Sequence, residues 1–269
     1  MSSPSSLQSS RGTALITGAS SGIGLDFSRV FAQVGYDLVL TARNEANLDR
    51  VAAEIRERHP NRTVRVVPSD LATPGAVEDL FAAVRREEVT VDVLVNNAGF
   101  ARRGAFADSD LAVDLAMLRV NVDALTALTR LFVTEMVARR AGKILNVAST
   151  AAFLPGPYMA TYYATKAYVL SFSEAIAEEL RGSGVTVTCL CPGATRTQFA
   201  ERAGVSDLPF FSSSLSMSSE RVAWFGYRAM MNGETVAIPG GVNRLSARVF
   251  PVIPRRLLTK AIHRIQRPT

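Results

Sequence analysis

Six short apolar runs, each giving way to a longer amphipathic stretch, constrain this chain more than any other feature. TALIT (13–17), DLVLTA (37–42), TVRVVPSD (63–70), VDVLVNNAG (91–99), GKILNVAS (142–149) and VTVTCLCPG (185–193) are rich in β-branched residues and nearly continuous in hydrophobicity. Strands buried on both faces of a parallel sheet read this way. Helical stretches at 22–35, 45–58, 74–87, 110–138 and 157–181 separate them, and ETVAIPG (234–240), after a helix near 219–232, offers a seventh strand. The alternation predicts an α/β fold: a doubly wound parallel sheet of about seven strands with helices on both faces. At 269 residues and 48% hydrophobic, the chain suits one domain with a sizeable core.

The ends read differently. MSSPSSLQSS has no charged region followed by an apolar one, so residues 1–11 are expected to be a disordered polar tail rather than a secretory signal. The body of the domain then occupies 12–243. No apolar run reaches the roughly eighteen residues of a membrane span, and a cytoplasmic protein, at most peripheral to a membrane, is expected. Cys189 and Cys191 read as buried free thiols, too few for a structural zinc site, and no metal is expected. The net charge of +6 comes from 30 basic and 24 acidic residues. Arg244, Arg248, Arg255, Arg256, Lys260, Arg264 and Arg267 follow one another without an acid, and removing those seven leaves 23 against 24. Basicity thus belongs to the tail at 244–269, which argues against a nucleic-acid groove across the body. The tail also carries Leu, Val, Phe and Ile. It suits either an anionic membrane surface or a helix docked on the domain or another subunit, the second being preferred.

TGASSGIG (17–24) follows the first strand and opens the first helix, placing Gly18, Gly22 and Gly24 in a G-x-x-x-G-x-G spacing around Ser20, Ser21 and Ile23. Glycines there allow a tight turn and close approach of a pyrophosphate to the helix N-terminus. With NNAG (96–99), Asn121, Ser149, YYATK (162–166) and PGATRT (192–197) in order behind it, the chain resembles the short-chain dehydrogenase/reductase family from about Thr13 to Gly240. The resemblance implies a Rossmann-type domain that moves a hydride between a nicotinamide cofactor and a carbonyl or alcohol, in a homodimer or homotetramer. It also implies cofactor contacts from the glycine loop, from Asp70 and Leu71 near the adenine, and from Asn97, Ala98 and Gly99 near the ribose. Tyr162, Lys166 and the Pro192, Gly193, Thr195 and Thr197 segment would complete the cofactor site.

The nicotinamide itself is expected to be NADP(H). An acid about twenty residues past the glycines would accept hydrogen bonds from the adenosine ribose, but LTARNE ends the second strand with Ala42 at that place and Arg43 next. A guanidinium can fork onto a 2′-phosphate that a carboxylate would repel.

Only two histidines, His59 and His263, are present, and neither falls near a strand end, so a Ser–His–acid triad is not expected. A tuned tyrosine is the natural proton donor. A lysine ammonium about 4 Å away would stabilise a phenolate by roughly 4 kcal/mol at a dielectric near 20, enough to lower its pKa by up to about three units before desolvation opposes it. Tyr162 and Tyr163 stand four and three residues before Lys166, and both spacings permit proximity on a helix. The family's Y-x-x-x-K pattern selects Tyr162, leaving Tyr163 for packing or a helix–helix interface. By the same resemblance Ser149 would hold the substrate oxygen, and Asn121 would hold a water that links Lys166 to solvent.

The connection at 193–218 reads as a lid or binding loop. With Phe100, Phe153, Tyr158 and Phe199 as pocket residues, it suggests a lipophilic carbonyl substrate: a 3-oxoacyl thioester, or a steroid or aromatic ketone. The rival from another class is a catalytically silent NADP(H) sensor, which would be expected to lack one of Ser149, Tyr162 or Lys166.

Overall fold

Six strands, β1 (Thr13–Thr17), β2 (Asp37–Thr41), β3 (Val64–Val66), β4 (Val91–Asn96), β5 (Gly142–Val147) and β6 (Val185–Leu190), lie side by side in the computed structural model. It describes residues 10–212 and 216–268. The short β7 (Thr195–Arg196) and β8 (Met217–Ser218) pair separately, and β9 (Val236–Ala237) closes the main sheet. The order is β3-β2-β1-β4-β5-β6-β9, all parallel, so the seven-stranded Rossmann-type sheet expected from the sequence is present. Strand order reverses at β1, beside β4, and crevices at such points, beyond the strands' carboxyl ends, are where open α/β sheets bind ligands.

Helices α1 (Gly22–Gln33), α2 (Glu45–Arg58), α3 (Ala76–Arg86), α4 (Leu111–Leu118), α5 (Ala124–Ala138) and α6 (Ala160–Glu179) make the crossovers. The short α7 (Phe199–Arg202) and α8 (Pro209–Ser212) precede α9 (Ser219–Met231), α10 (Gly241–Val249) and α11 (Arg255–Gln266). Side chains cap several starts: Asn44 Oδ1 accepts from Asn47 N, Asp110 from Ala112 N, and Ser218 from Arg221 N.

Two apolar layers sandwich the sheet. On one face Phe27, Phe31 and Tyr227 of α1 and α9 pack on Ile16, Leu40 and Leu190; on the other Leu80, Leu128 and Phe132 of α3 and α5 pack on Leu15, Leu94 and Ile144. Gly226 lets α9 sit close, since a Cβ there would lie 2.8 Å from Leu190 and 3.0 Å from Phe27.

The elements are shorter than the apolar runs. β3 stops before Pro68, which has no N–H to offer a ladder. β9 is two residues long because Pro239 and Gly240, with φ of 90°, turn the chain away. Helix α6 starts at Ala160 rather than 157, after Pro157 and a left-handed Tyr158 with φ of 65°. The stretch expected as one helix over 110–138 is broken by a π turn at Arg119–Asp123, which carries Asn121. The N-terminal tail expected at 1–11 falls mostly on residues 1–9, which lie outside the described part, as do 213–215 of the 193–218 connection. The composition change at 243/244 falls inside α10.

Candidate active site

Ser149 sits just past β5 in extended conformation, φ −171°, and caps a short 3-10 turn by accepting from Ala151 N at 3.1 Å. Its hydroxyl donates to Pro192 O at 3.4 Å and also acts on the neighbouring Tyr162 phenol. Tyr162 and Lys166, one turn apart on α6, are both buried, and Lys166 Nζ stands 5.7 Å from the Tyr162 ring centroid while donating to Val147 O at 2.8 Å.

The phenolate expectation is corrected here. Burial pushes the Tyr162 phenol well above its ordinary value, only partly offset by the Ser149 hydroxyl, and Lys166 does not lower it. Lys166 is itself held down to about 8 by burial. The ammonium donates to Val147 O, and burial dominates the phenol's shift, so the Coulomb gain reckoned at about 4 Å is not realised.

Asn121 is fully enclosed. Its Oδ1 accepts from Phe100 N at 3.1 Å; its Nδ2 donates to Phe100 O at 3.0 Å and to Thr165 Oγ1 at 3.1 Å, and Thr165 in turn bonds Tyr162 O. The side chain therefore ties the end of β4 to the tyrosine's own helical turn. A Cβ on Gly99 would lie 3.1 Å from Asn121 Oδ1 and 3.6 Å from Lys166 Nζ, so the missing side chain keeps these two groups facing each other.

The glycine loop abuts this constellation. Asn97 Nδ2 donates to Thr17 O at 2.8 Å, and Thr17 Oγ1 accepts from both Asn97 N and Ala98 N at 2.9 Å, so NNAG holds the loop by its backbone. Gly24 packs where a Cβ would fall 2.3 Å from Gly18 O, and Gly22, with φ of 56°, faces the Thr197 methyl. Thr195 is buried, with its hydroxyl on Gly193 O.

The predicted pocket residues divide. Phe100 and Phe199 pack with Met117, Met159, Val205 and Leu208 around Tyr162, and Phe199 lies 5.7 Å from its ring. Phe153 belongs elsewhere: it packs on Leu125, Val169 and Cys189 in a separate cluster under β6, because the 3-10 turn after Ser149 aims it back at the sheet. Tyr158 stacks on His263 of α11 at 5.1 Å. Tyr163 turns from the site, its ring filling the space a side chain on Gly156 would need and its hydroxyl accepting from Gln266 Nε2.

Several supporting contacts had no signal in the sequence, although Asn96 itself belongs to the NNAG motif. Asn96 donates to Thr129 and Asn146, and Asn146 to Ser173, in a buried polar chain beneath the site. Arg103 donates to Asp207, to Gly204 O and to the carbonyls of Gln266 and Arg267, clipping the 193–218 connection to α11. Only the fold brings those positions together.

A family model described as short chain dehydrogenase matches residues 12–206. The chain belongs to the short-chain dehydrogenase family. It is 32% identical over 200 residues to a very-long-chain 3-oxoacyl-CoA reductase-like protein of Arabidopsis thaliana, covering 73% of this chain and 64% of that relative, so it spans under two thirds of the relative's length. A short-chain dehydrogenase from Sphingobium yanoikuyae in complex with NADPH superposes with a TM-score of 0.80 at 33% identity, covering 88% of this chain and 92% of the other. A short-chain dehydrogenase/reductase from Burkholderia phymatum in complex with NAD superposes at 0.81 with 26% identity, covering 89% and 92%.

Short-chain dehydrogenases typically use a nicotinamide dinucleotide, and the cradle here fits one. Ser21 precedes α1 without spending its side chain on a cap, and the first turn holds no acid, so the helix N–H groups and the positive end of its dipole are open to an anion. At the end of β2, Arg43 is exposed and makes no ion pair among the described residues, while Ala42 leaves no carboxylate there. Asp70 is exposed and caps its own turn through Ala72 N, beside the buried Leu71.

Proposed function

We propose that the protein is an NADPH-dependent oxidoreductase that reduces a lipophilic ketone or 3-oxoacyl group to the secondary alcohol, with Tyr162 as the proton donor. The observation that carries this reading is the buried Tyr162 phenol, neighbouring Ser149 and standing over Lys166 beside the glycine loop. NADPH, held by the glycine loop, Arg43 and the Thr195–Thr197 segment, would supply the hydride to the carbonyl carbon.

The side chains perform the remaining tasks. Ser149 offers a hydroxyl to the carbonyl oxygen and fixes its distance from Tyr162. Tyr162, whose burial keeps it protonated at neutrality, delivers its proton to that oxygen as negative charge develops there. Lys166, near 8, is mostly cationic at neutral pH and is fixed beneath the tyrosine ring by donating to Val147 O. Asn121 holds the turn of α6 that carries Tyr162 and lies across Gly99 from Lys166, a position suited to a water in a proton relay.

Arg43 without an acidic neighbour at position 42 supports NADPH over NADH. The apolar wall of Phe100, Met159, Phe199, Val205 and Leu208 supports a lipophilic substrate. Both are tested together by cofactor oxidation with NADPH and NADH against ketones and 3-oxoacyl thioesters graded from small and polar to long-chain and aromatic. Preference for NADH, or for small polar carbonyls, overturns the corresponding part.

A further inference from the structure

We infer that the outer face of the C-terminal segment, α10 to α11, is a docking surface for an anionic lipid bilayer. The inference uses the chemistry of that surface alone and stands apart from the identity of the substrate.

The segment is bound to the domain by one side only. Ala247, Leu258, Ile262 and Gln266 are buried, Gln266 reaches Tyr163, and Arg103 holds the last carbonyls of α11. The other side is open, apolar along α10 and mixed apolar and cationic along α11. Val242, Leu245 and Val249 follow one another at helical spacing along α10, Val252 projects from the turn after it, and Leu257 and Ile265 lie two turns apart on α11. Leu245 is 64%, Leu257 61% and Val252 79% exposed, far beyond what an isolated surface residue needs.

Charge identifies what covers this face. The seven cations from Arg244 to Arg267 have no acidic residue among them in sequence, and none forms an ion pair with any described residue. At helical spacing Arg244 and Arg248 lie along one edge of the α10 stripe, and Lys260 and Arg264 lie beside Leu257 on α11, an arrangement in which long stems lie along apolar surface while their heads reach anionic groups. A second copy on the same face would set these cations against their equivalents. A nucleic-acid backbone would satisfy the cations and leave the apolar stripe in water. A bilayer with anionic headgroups satisfies both. No described helix is long and apolar enough to cross a membrane, so the contact is interfacial. The opposite side of α11 seats on Tyr158 and Tyr163, next to Tyr162, which brings the bilayer-facing surface and the reactive tyrosine to two sides of one helix.

The test is flotation of the intact protein with phosphatidylcholine vesicles, with and without phosphatidylserine, across a salt series. Two variants accompany it, Leu245→Asp/Val252→Asp/Leu257→Asp and Arg248→Ala/Arg256→Ala/Lys260→Ala, each compared with wild type for NADPH binding to establish folding. Expected is binding to phosphatidylserine vesicles that weakens with salt, falls about fivefold for each cation removed and is lost in the aspartate variant. Absence of wild-type binding at low salt, equal binding to vesicles lacking phosphatidylserine, or a charge variant that binds like wild type would overturn the inference. So would tighter binding to duplex DNA than to the vesicles. The salt series on wild type decides the matter even where a variant fails to fold.

Discussion

The hydroxyl of Tyr163 accepts a hydrogen bond from Gln266 Nε2, while its neighbour Tyr162 is buried beside Ser149. Two adjacent tyrosines of one helix thus serve opposite ends of the chain: one anchors α11 and the other faces the end of β5. Replacing Tyr163 by Phe leaves the reactive group in place and strands a buried amide, since Gln266 Oε1 has no partner either. Tyr163→Phe should retain turnover and lose about 1–3 kcal/mol of stability, read as a lowered denaturation midpoint. Loss of turnover with stability unchanged would contradict this division.

Lys166 links the site to pH. Its folded value of about 8 lies below the ordinary 10.5, so between these values the unfolded chain binds the extra proton. Stability should therefore rise with pH from about 8 toward 10, by roughly 2–3 kcal/mol from this group. Burial raises Tyr162 and Tyr163, whose contribution is present below 10 and is lost only as pH climbs through their folded values. Urea unfolding of wild type and Lys166→Met across that window should show the rise in the first and not in the second.

The glycine loop makes a third point. A methyl at Gly24 would meet Gly18 O at 2.3 Å and Asn97 Nδ2 at 2.4 Å, and backbone is the part that cannot yield. Gly24→Ala should cost about 2 kcal/mol or more and abolish tight cofactor binding by calorimetry. Gly75→Ala tests the contrast: nothing lies within 4 Å of a Cβ there, and only its left-handed φ of 83° opposes the change. It should leave cofactor affinity unchanged.

The proposed NADPH preference rests on Arg43. Arg43→Asp, exposed and remote from the tyrosine, should lower NADPH affinity by on the order of tenfold to a hundredfold, the worth of a hydrogen bond to a charged group, and should spare NADH. Titration of both cofactors with the same protein checks it. An equal loss for both would show that the arginine positions the loop rather than reading the phosphate.

How much of this was legible in the chain follows from the range of each interaction. The β-branched runs and the glycine spacing are local, and they placed β1 at 13–17 and α2 at 45–58 to the residue. The motifs around Ser149, Tyr162 and Lys166 pointed to one site, and the structure brings them together. What escaped was set by distant partners or by backbone deviation. The π turn at Asn121 looks like ordinary helix in sequence. Phe153 looked like pocket because it follows Ser149, yet a 3-10 turn reverses it into the core. The pairings of Arg103 with Asp207 and of Tyr163 with Gln266 span about a hundred residues and carry no local mark. The lysine's effect on Tyr162 was reckoned from spacing, which fixes which face two side chains share but not where an ammonium points.

The central claim is that Tyr162 gives the proton. Its most direct test is NADPH oxidation by wild type, Tyr162→Phe and Tyr163→Phe over the graded carbonyl panel, with NADPH binding measured on the same samples. The account predicts unchanged cofactor binding in all three, turnover in wild type and Tyr163→Phe, and a loss of at least about a hundredfold in Tyr162→Phe. Turnover that survives in Tyr162→Phe, or tight NADPH binding by a wild type that reduces nothing, would contradict it.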